Sequence, residues 1–155
     1  MAPNVSDGHL CGPIALFQTW MRLSSYFDDI HVDLKSMKIT AEHTLLATTY
    51  TSITISSKTL RLVFPQMNSD GHGGMKGGTW SPLAQRLEGQ RLIVKGSVRF
   101  DWDNVNKRVV RLLSYSDMAT AMLRVVGSLE DVSYVFDGAL VTPDFRLIRH
   151  SVYGV

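Results

Sequence analysis

The sequence predicts an α+β domain in which helices pack on one face of an antiparallel sheet. Three observations carry that prediction. Residues 92–102 alternate almost perfectly, with Leu92, Val94, Gly96, Val98, Phe100 and Trp102 on one parity and Ile93, Lys95, Ser97, Arg99 and Asp101 on the other. The next residues, DNVNK, supply turn chemistry, and RVVRLLSYS returns as the antiparallel partner. Segments with apolar residues spaced by three and four stand at both ends of the chain, giving the order helix, strands, hairpin, helices.

Length and composition set the bounds. A chain of 155 residues, 45% hydrophobic and 19% charged, suits one domain with one core. Sixteen Lys and Arg against fourteen Asp and Glu leave a net charge of only +2, far from the basic excess that neutralises nucleic-acid phosphates, so no direct nucleic-acid binding is expected. Cys11 is the single cysteine, which rules out an internal disulfide and leaves no Cys/His cluster with zinc spacing. No metal and no cofactor are expected, and an intracellular, reducing setting fits. The first 25 residues lack a basic lead-in followed by an apolar run, and no run of about 18 apolar residues occurs anywhere. The expectation is a soluble chain without a secretion signal or membrane span.

Residues 1–13 (MAPNVSDGHLCGP) read as a loose lead-in, and residues 14–155 as the domain. Pro13 suits a first helical turn. Ile14, Phe17 and Met21, with Leu16 and Trp20, then recur at helical spacing to about Tyr26. In IHVDLKSMKIT, Ile30, Val32 and Leu34 alternate with His31, Asp33 and Lys35, the pattern of a half-buried strand. LLATTYTSITIS follows as a second long strand, with Leu45, Ala47, Ile53 and Ile55 on one parity and Tyr50, Ser52 and Thr54 on the other.

SSKTLRLVFPQM combines helical spacing with strand propensity, and Pro65 favours a short helix stopped before it. Residues 68–79 (NSDGHGGMKGGT) hold five of the 12 glycines and read as a mobile surface loop, without the GxxxxGK[ST] pattern of a phosphate cradle. SPLAQRL reads as a helix capped by Ser81 with Pro82 at its first position. After Ser116, a candidate cap, Met118, Ala121, Met122 and Val125 form the stripe of a helix ended by Gly127. A last helix from about Ser128 carries Glu130 and Asp131 in its first turn, and Pro143 lies beyond it.

The DWD triplet, Asp101-Trp102-Asp103, invites a metal or acid/base reading. The alternation argues otherwise. Both aspartates share the polar face with Lys95 and Arg99, as strand-end and turn residues, whereas Trp102 points to the apolar layer as a core anchor.

Three segments together carry a resemblance: TTYTSITISSKTLRLVFPQM, GQRLIVKGSVRFDWDNVNKRVVRLLSYSDM and GSLEDVSYVFDGALVTPD. They resemble the C-terminal domain that follows the basic region and leucine zipper in a group of oomycete bZIP proteins, a domain similar to the NTF2-like (SnoaL-like, cystatin-type) α+β fold. The resemblance spans residues 14–147 and is most specific in FDWD, RVVRL and LEDVSYVF…ALVTPD. It implies a curved antiparallel sheet with helices packed on its concave face to form a cone, a pocket at the wide end, and a homodimer through the sheet face. It also implies a nuclear location if the domain is part of a bZIP protein, and otherwise a cytoplasmic one. No basic region and no leucine heptads precede the domain in this sequence.

The same fold hosts isomerases, cyclases and hydratases, which use acid/base groups inside the cone. The candidates are Asp117, Tyr115, Asp33 and His31, with Tyr50 and Arg111 nearby in sequence. A working site needs a carboxyl of raised pKa within hydrogen-bond reach of a tyrosine or arginine, and the alternation does not gather these residues. His31 and Asp33 share the polar parity of their strand. Asp117 has a competing role at a helix start, and the inward or outward direction of Tyr115 turns on a one-residue register. Pocket-lining or core positions are assigned to Trp20, Tyr50, Phe100, Trp102, Met118 and Met122. The reading is a non-catalytic interaction or dimerisation domain with a protein partner or a small apolar ligand; the alternative is a SnoaL-like isomerase, cyclase or hydratase acting on a hydrophobic small molecule.

Overall fold

Alternation in the two central strands decides which face of the sheet meets the helices. The computed structural model describes residues 6–7, 10–11 and 13–148. In chain order its elements are β1 (Ser6–Asp7), β2 (Leu10–Cys11), α1 (Pro13–Tyr26), β3 (Asp28–Ala41), β4 (Thr44–Thr54), α2 (Ser57–Val63), a 3-10 turn (Pro65–Met67), α3 (Pro82–Leu87), β5 (Arg91–Asp103), β6 (Arg108–Asp117), α4 (Met118–Val126) and α5 (Leu129–Phe136). The curved sheet has the order β2-β1-β6-β5-β4-β3, and its four long strands are antiparallel. Where a loose lead-in is expected, β1 and β2 pair with each other, and Asp7 of β1 lies beside Leu112 of β6. The remaining lead-in positions, His9 and residues 149–155 fall outside the described residues.

The register places Ile53 opposite Leu92 and Thr51 opposite Val94, and all four are buried. Helices cover this face. Met118, Ala121, Met122 and Val126 of α4, Val132 and Val135 of α5, Leu60 and Val63 of α2, and Leu83 and Leu87 of α3 join one core with Phe27, Phe64 and Phe145. The rings of Phe27 and Phe145 meet edge to face, 5.5 Å between centroids. The core occupies one end of the face, over the C-terminal half of β4 and the N-terminal half of β5.

Local chemistry fixes the helix ends. Ser56 and Thr59 form a capping box at α2, and the Thr59 hydroxyl also donates to the Tyr26 carbonyl at 2.7 Å, tying the end of α1 to the start of α2. Ser81 caps α3 and Ser128 caps α5 as expected. The cap of α4 is Asp117 rather than Ser116, because Ser116 is still paired with Gly96 in the sheet. Gly127 ends α4 at φ 88°, a left-handed conformation that a side chain would strain.

Three expectations are corrected. Trp102 is 41% exposed: β5 outruns the helices, and a register shift between Asp101 and Trp102 interrupts its pairing with β6. Trp20 is 47% exposed, because α1 buries its last turn at Leu23, with Phe27 just beyond, and leaves Trp20 and Met21 in solvent. Of the apolar parity of β3 only Ile30 is half-buried, against the core; Val32, Leu34, Met37 and Ile39 are between 43% and 81% exposed. β3 is the edge strand, and the core packs only against its start at Ile30.

Leu92→Ala should lower the unfolding free energy by about 2–5 kcal/mol in urea titration, through lost burial and a cavity. Ile39→Ala, at an exposed edge position, should change it by less than about 0.5 kcal/mol.

Candidate functional site

Beyond the core cluster the helix-side face of the sheet continues as an apolar trough, in which Ala47 is buried and Leu45, Val98, Phe100 and Leu112 are half-buried. Cross-strand pairing carries the parity of the buried Ile53–Leu92 and Thr51–Val94 pairs outward to Leu45 opposite Phe100 and Ala47 opposite Val98 on β4 and β5. Leu112 stands beside Phe100 on β6, and Leu34, Met37 and Ile39 continue the layer on β3. The polar members on β4 and β6 are Thr49, Ser114 and Ser116, and the residues that β3, β4, β5 and β6 pair with one another on this face are uncharged; Asp7 of β1 is paired with Leu112 at its border. β3 keeps its apolar residues on this side across the register shift between Leu34 and Ser36, where Lys35 is the extra residue. Without that shift Met37 and Ile39 would turn to the other face.

The catalytic candidates lie on the opposite, helix-free face. His31 Nε2 is 2.9 Å from Asp33 Oδ1, and both side chains are exposed. Tyr50 faces Asp33 on one side and Lys95 on the other, with Lys35 Nζ 5.8 Å from its ring centroid. This corrects its assignment to the core or pocket. Tyr115 stands opposite Ser97 in the same layer and is exposed, which settles the one-residue ambiguity in its strand. Arg111 Nε lies 4.0 Å from Asp101 Oδ2, and Arg99 Nε lies 3.1 Å from Asp101 Oδ1. Met118 and Met122 are fully buried in the core. The structure thus gathers His31, Asp33, Lys35 and Tyr50 in one cluster on the helix-free face, with His31 and Asp33 exposed and Tyr50 half-buried.

Hydrogen bonding explains the aspartates. Asp117 accepts from the Thr120 hydroxyl and from the Thr120 N–H at 3.0 Å, and these bonds hold its carboxyl below the usual range. Such a group is ionised at neutral pH and committed to its cap. Asp103 accepts from the Asn106 side-chain amide at 2.6 Å and the Val105 N–H at 2.9 Å, which depress its pKa likewise. The DWD carboxylates are strand-end and turn residues. Among the described residues no group of three or more His, Cys, Asp or Glu is placed to hold a metal, and no helix is long and apolar enough to cross a membrane.

Two features were not legible as sites. A shallow cleft of about 400 Å³ lies between α3 and α5, lined by Ser81, Pro82, Leu83, Arg86, Asp131 and Tyr134. Arg86 bridges it, 3.5 Å from Asp131 and 3.3 Å from the Val126 carbonyl. The glycine-rich loop is organised around Asp70, which accepts from the backbone N–H groups of His72, Gly74 and Lys76 at 2.7–3.1 Å. Desolvation pushes the Asp70 carboxyl up, but these bonds outweigh it and bring its pKa to about 2. The NSDG stretch carried that signal, since Asn and Asp close turns onto nearby backbone.

No protein-family model and no curated protein matches the chain. Solved structures do. A SnoaL-like polyketide cyclase from Agrobacterium tumefaciens superposes with a TM-score of 0.51 at 14% identity, over 80% of this chain and 77% of that one. TsrD from Streptomyces laurentii gives 0.51 at 14% identity, over 83% and 78%. The fold is that of the NTF2-like, SnoaL-like α+β cone. At such identity the likeness reports the arrangement of strands and helices, while chemistry depends on the residues in place.

Asp117→Ala should destabilise the fold by about 0.5–2 kcal/mol through loss of the cap, and Asp117→Asn should restore most of it, both read by urea titration. Asp70 has a folded pKa below its unfolded value of 3.8, so its stabilising contribution is complete above about pH 4 and is lost as pH falls towards about 2. Unfolding measured from acid to mildly acid pH should show that loss, and Asp70→Asn should flatten it.

Proposed function

We propose that this chain is a non-catalytic NTF2-like domain whose open trough takes an apolar molecule or an apolar segment of a protein partner. The observation that carries the reading is the face assignment. Beyond the core, the strands β3, β4, β5 and β6 present aliphatic and aromatic side chains on the helix-side face, bordered by Asp7 beside Leu112 and by Arg146 on the Ser114 carbonyl, and the carboxylates and tyrosines singled out for acid/base work stand on the other face. An apolar wall with a few hydroxyls suits binding by burial, with Thr49 and Ser116 placed to orient a polar end. The resemblance to the accessory domain of oomycete bZIP proteins supports the same reading, in which the domain serves association and DNA contact belongs to a basic region elsewhere.

A SnoaL-like enzyme is the second reading, favoured by the likeness to the Agrobacterium cyclase. It requires Tyr115 or Asp117, which stand away from the trough, to act on the substrate. Cyclisation of a polyketide-type substrate that is abolished by Tyr115→Phe or by Asp117→Asn, in protein that remains folded, would establish it against the binding reading.

The binding reading is tested with dodecanol as an apolar probe in calorimetric titration. Saturable one-site binding is expected, weakened on the order of tenfold or more by Val98→Asp, which would bury an unpaired charge against the ligand. Binding untouched by Val98→Asp, or no binding at all, overturns the reading. Tyr115→Phe should leave the affinity unchanged.

A further inference from the structure

We infer that two copies of this chain associate edge to edge, pairing β3 with β3 antiparallel across a two-fold axis between Lys35 and Ser36. The inference does not depend on the ligand proposed above. Among the described residues, β3 pairs with β4 on one side and with nothing on the other, and it offers 14 residues of strand. Unpaired N–H and C=O groups along such an edge are a template for another strand.

The strand is complementary to itself. From Val32 to Ile39 it reads VDLKSMKI. A two-fold between Lys35 and Ser36 sets Val32 against the partner's Ile39, Asp33 against the partner's Lys38, Leu34 against the partner's Met37, and Lys35 against the partner's Ser36. Face matches face in every pair. Val32, Leu34, Met37 and Ile39 belong to the helix-side face, while Asp33, Ser36 and Lys38 belong to the other, by their pairing with Thr51, Thr49, Ala47, Leu45, Tyr50, Thr48 and Leu46. Lys35, whose ammonium lies over the Tyr50 ring, shares the helix-free face. Eight apolar side chains that are largely exposed in the single chain would become one cross-strand ladder. Two Asp33–Lys38 pairs would cross the axis on the other face. The register shift between Leu34 and Ser36 is what permits this, since it puts both halves of the strand on one apolar face and lies on the axis itself.

Symmetry also favours the arrangement, because one patch serves both partners. The helix-free sheet face is a poorer candidate for self-association: Lys95, Arg99, Asp101, Arg111 and Asp117 are spread across it with mixed signs.

Sedimentation velocity of the full chain across micromolar concentrations should show a reversible dimer. Asp33→Lys places two ammonium groups against each other at both symmetry-related pairs, and Lys38→Asp places two carboxylates there; each should weaken association on the order of tenfold. The double swap, Asp33→Lys with Lys38→Asp, restores both pairs with inverted signs and should recover the wild-type dimer. Thermal melts identify any variant that fails to fold, and Met37→Lys, at an exposed position, provides a second disruption independent of the ion pair. Tyr115→Arg on the helix-free face should leave the dimer intact. A monomer throughout, failure of the double swap to rescue, or a dimer lost with Tyr115→Arg but kept with Met37→Lys overturns the inference.

Discussion

The pairing of β4 with β5 is the constraint on which the rest of the structure depends. One register sets Ile53 against Leu92 and Thr51 against Val94 beneath the helices. Because side chains alternate strictly, it also determines the faces of Leu45, Ala47, Val98 and Phe100 farther along the same strands. A slip by one residue would expose the core and turn Tyr50 or Lys95 toward the helices. Burial at one end of the sheet therefore enforces the apolar character of the trough at the other.

The helices cover only part of what that register makes apolar. The side chains of α2, α3, α4 and α5 converge on the C-terminal end of β4 and the N-terminal end of β5, and α4 starts where β6 leaves the sheet at Asp117. That transition consumes the one carboxylate that sequence placed nearest to a helix start and a tyrosine. As an N-cap, Asp117 satisfies a backbone donor of α4 and stays ionised, the opposite of the raised pKa a general acid requires. The geometry that makes the fold also withdraws the acid from the trough.

Periodicity revealed direction, and it did so well. It turned both aspartates of DWD to the polar face, identified the hairpin, and separated His31 and Asp33 from the apolar side of their strand. It could not reveal depth. Trp102 has the parity of Leu92 and Val94, yet lies beyond the helices; whether a strand residue is covered depends on where another element ends. Edge position is equally invisible to a local pattern, so Val32 and Leu34 looked half-buried when β3 has no neighbour on one side. The bulge at Lys35 hid the continuity of Val32 and Leu34 with Met37 and Ile39, because a period-two count breaks there. Asp70 was missed for a different reason: glycine richness suggests mobility, while three backbone N–H groups converging on one carboxylate build an ordered turn.

The central claim is that the apolar trough, and no other surface, is where an apolar molecule is held. Methyl-resolved NMR on protein labelled at Ile, Leu, Val and Met, titrated with dodecanol, tests it directly. Shifts should concentrate on Leu45, Val98, Leu112 and Met37, with Leu83 in the α3–α5 cleft and Val132 in the core unmoved. Shifts centred on Leu83 and Leu129 instead, with the trough methyls silent, would contradict the account.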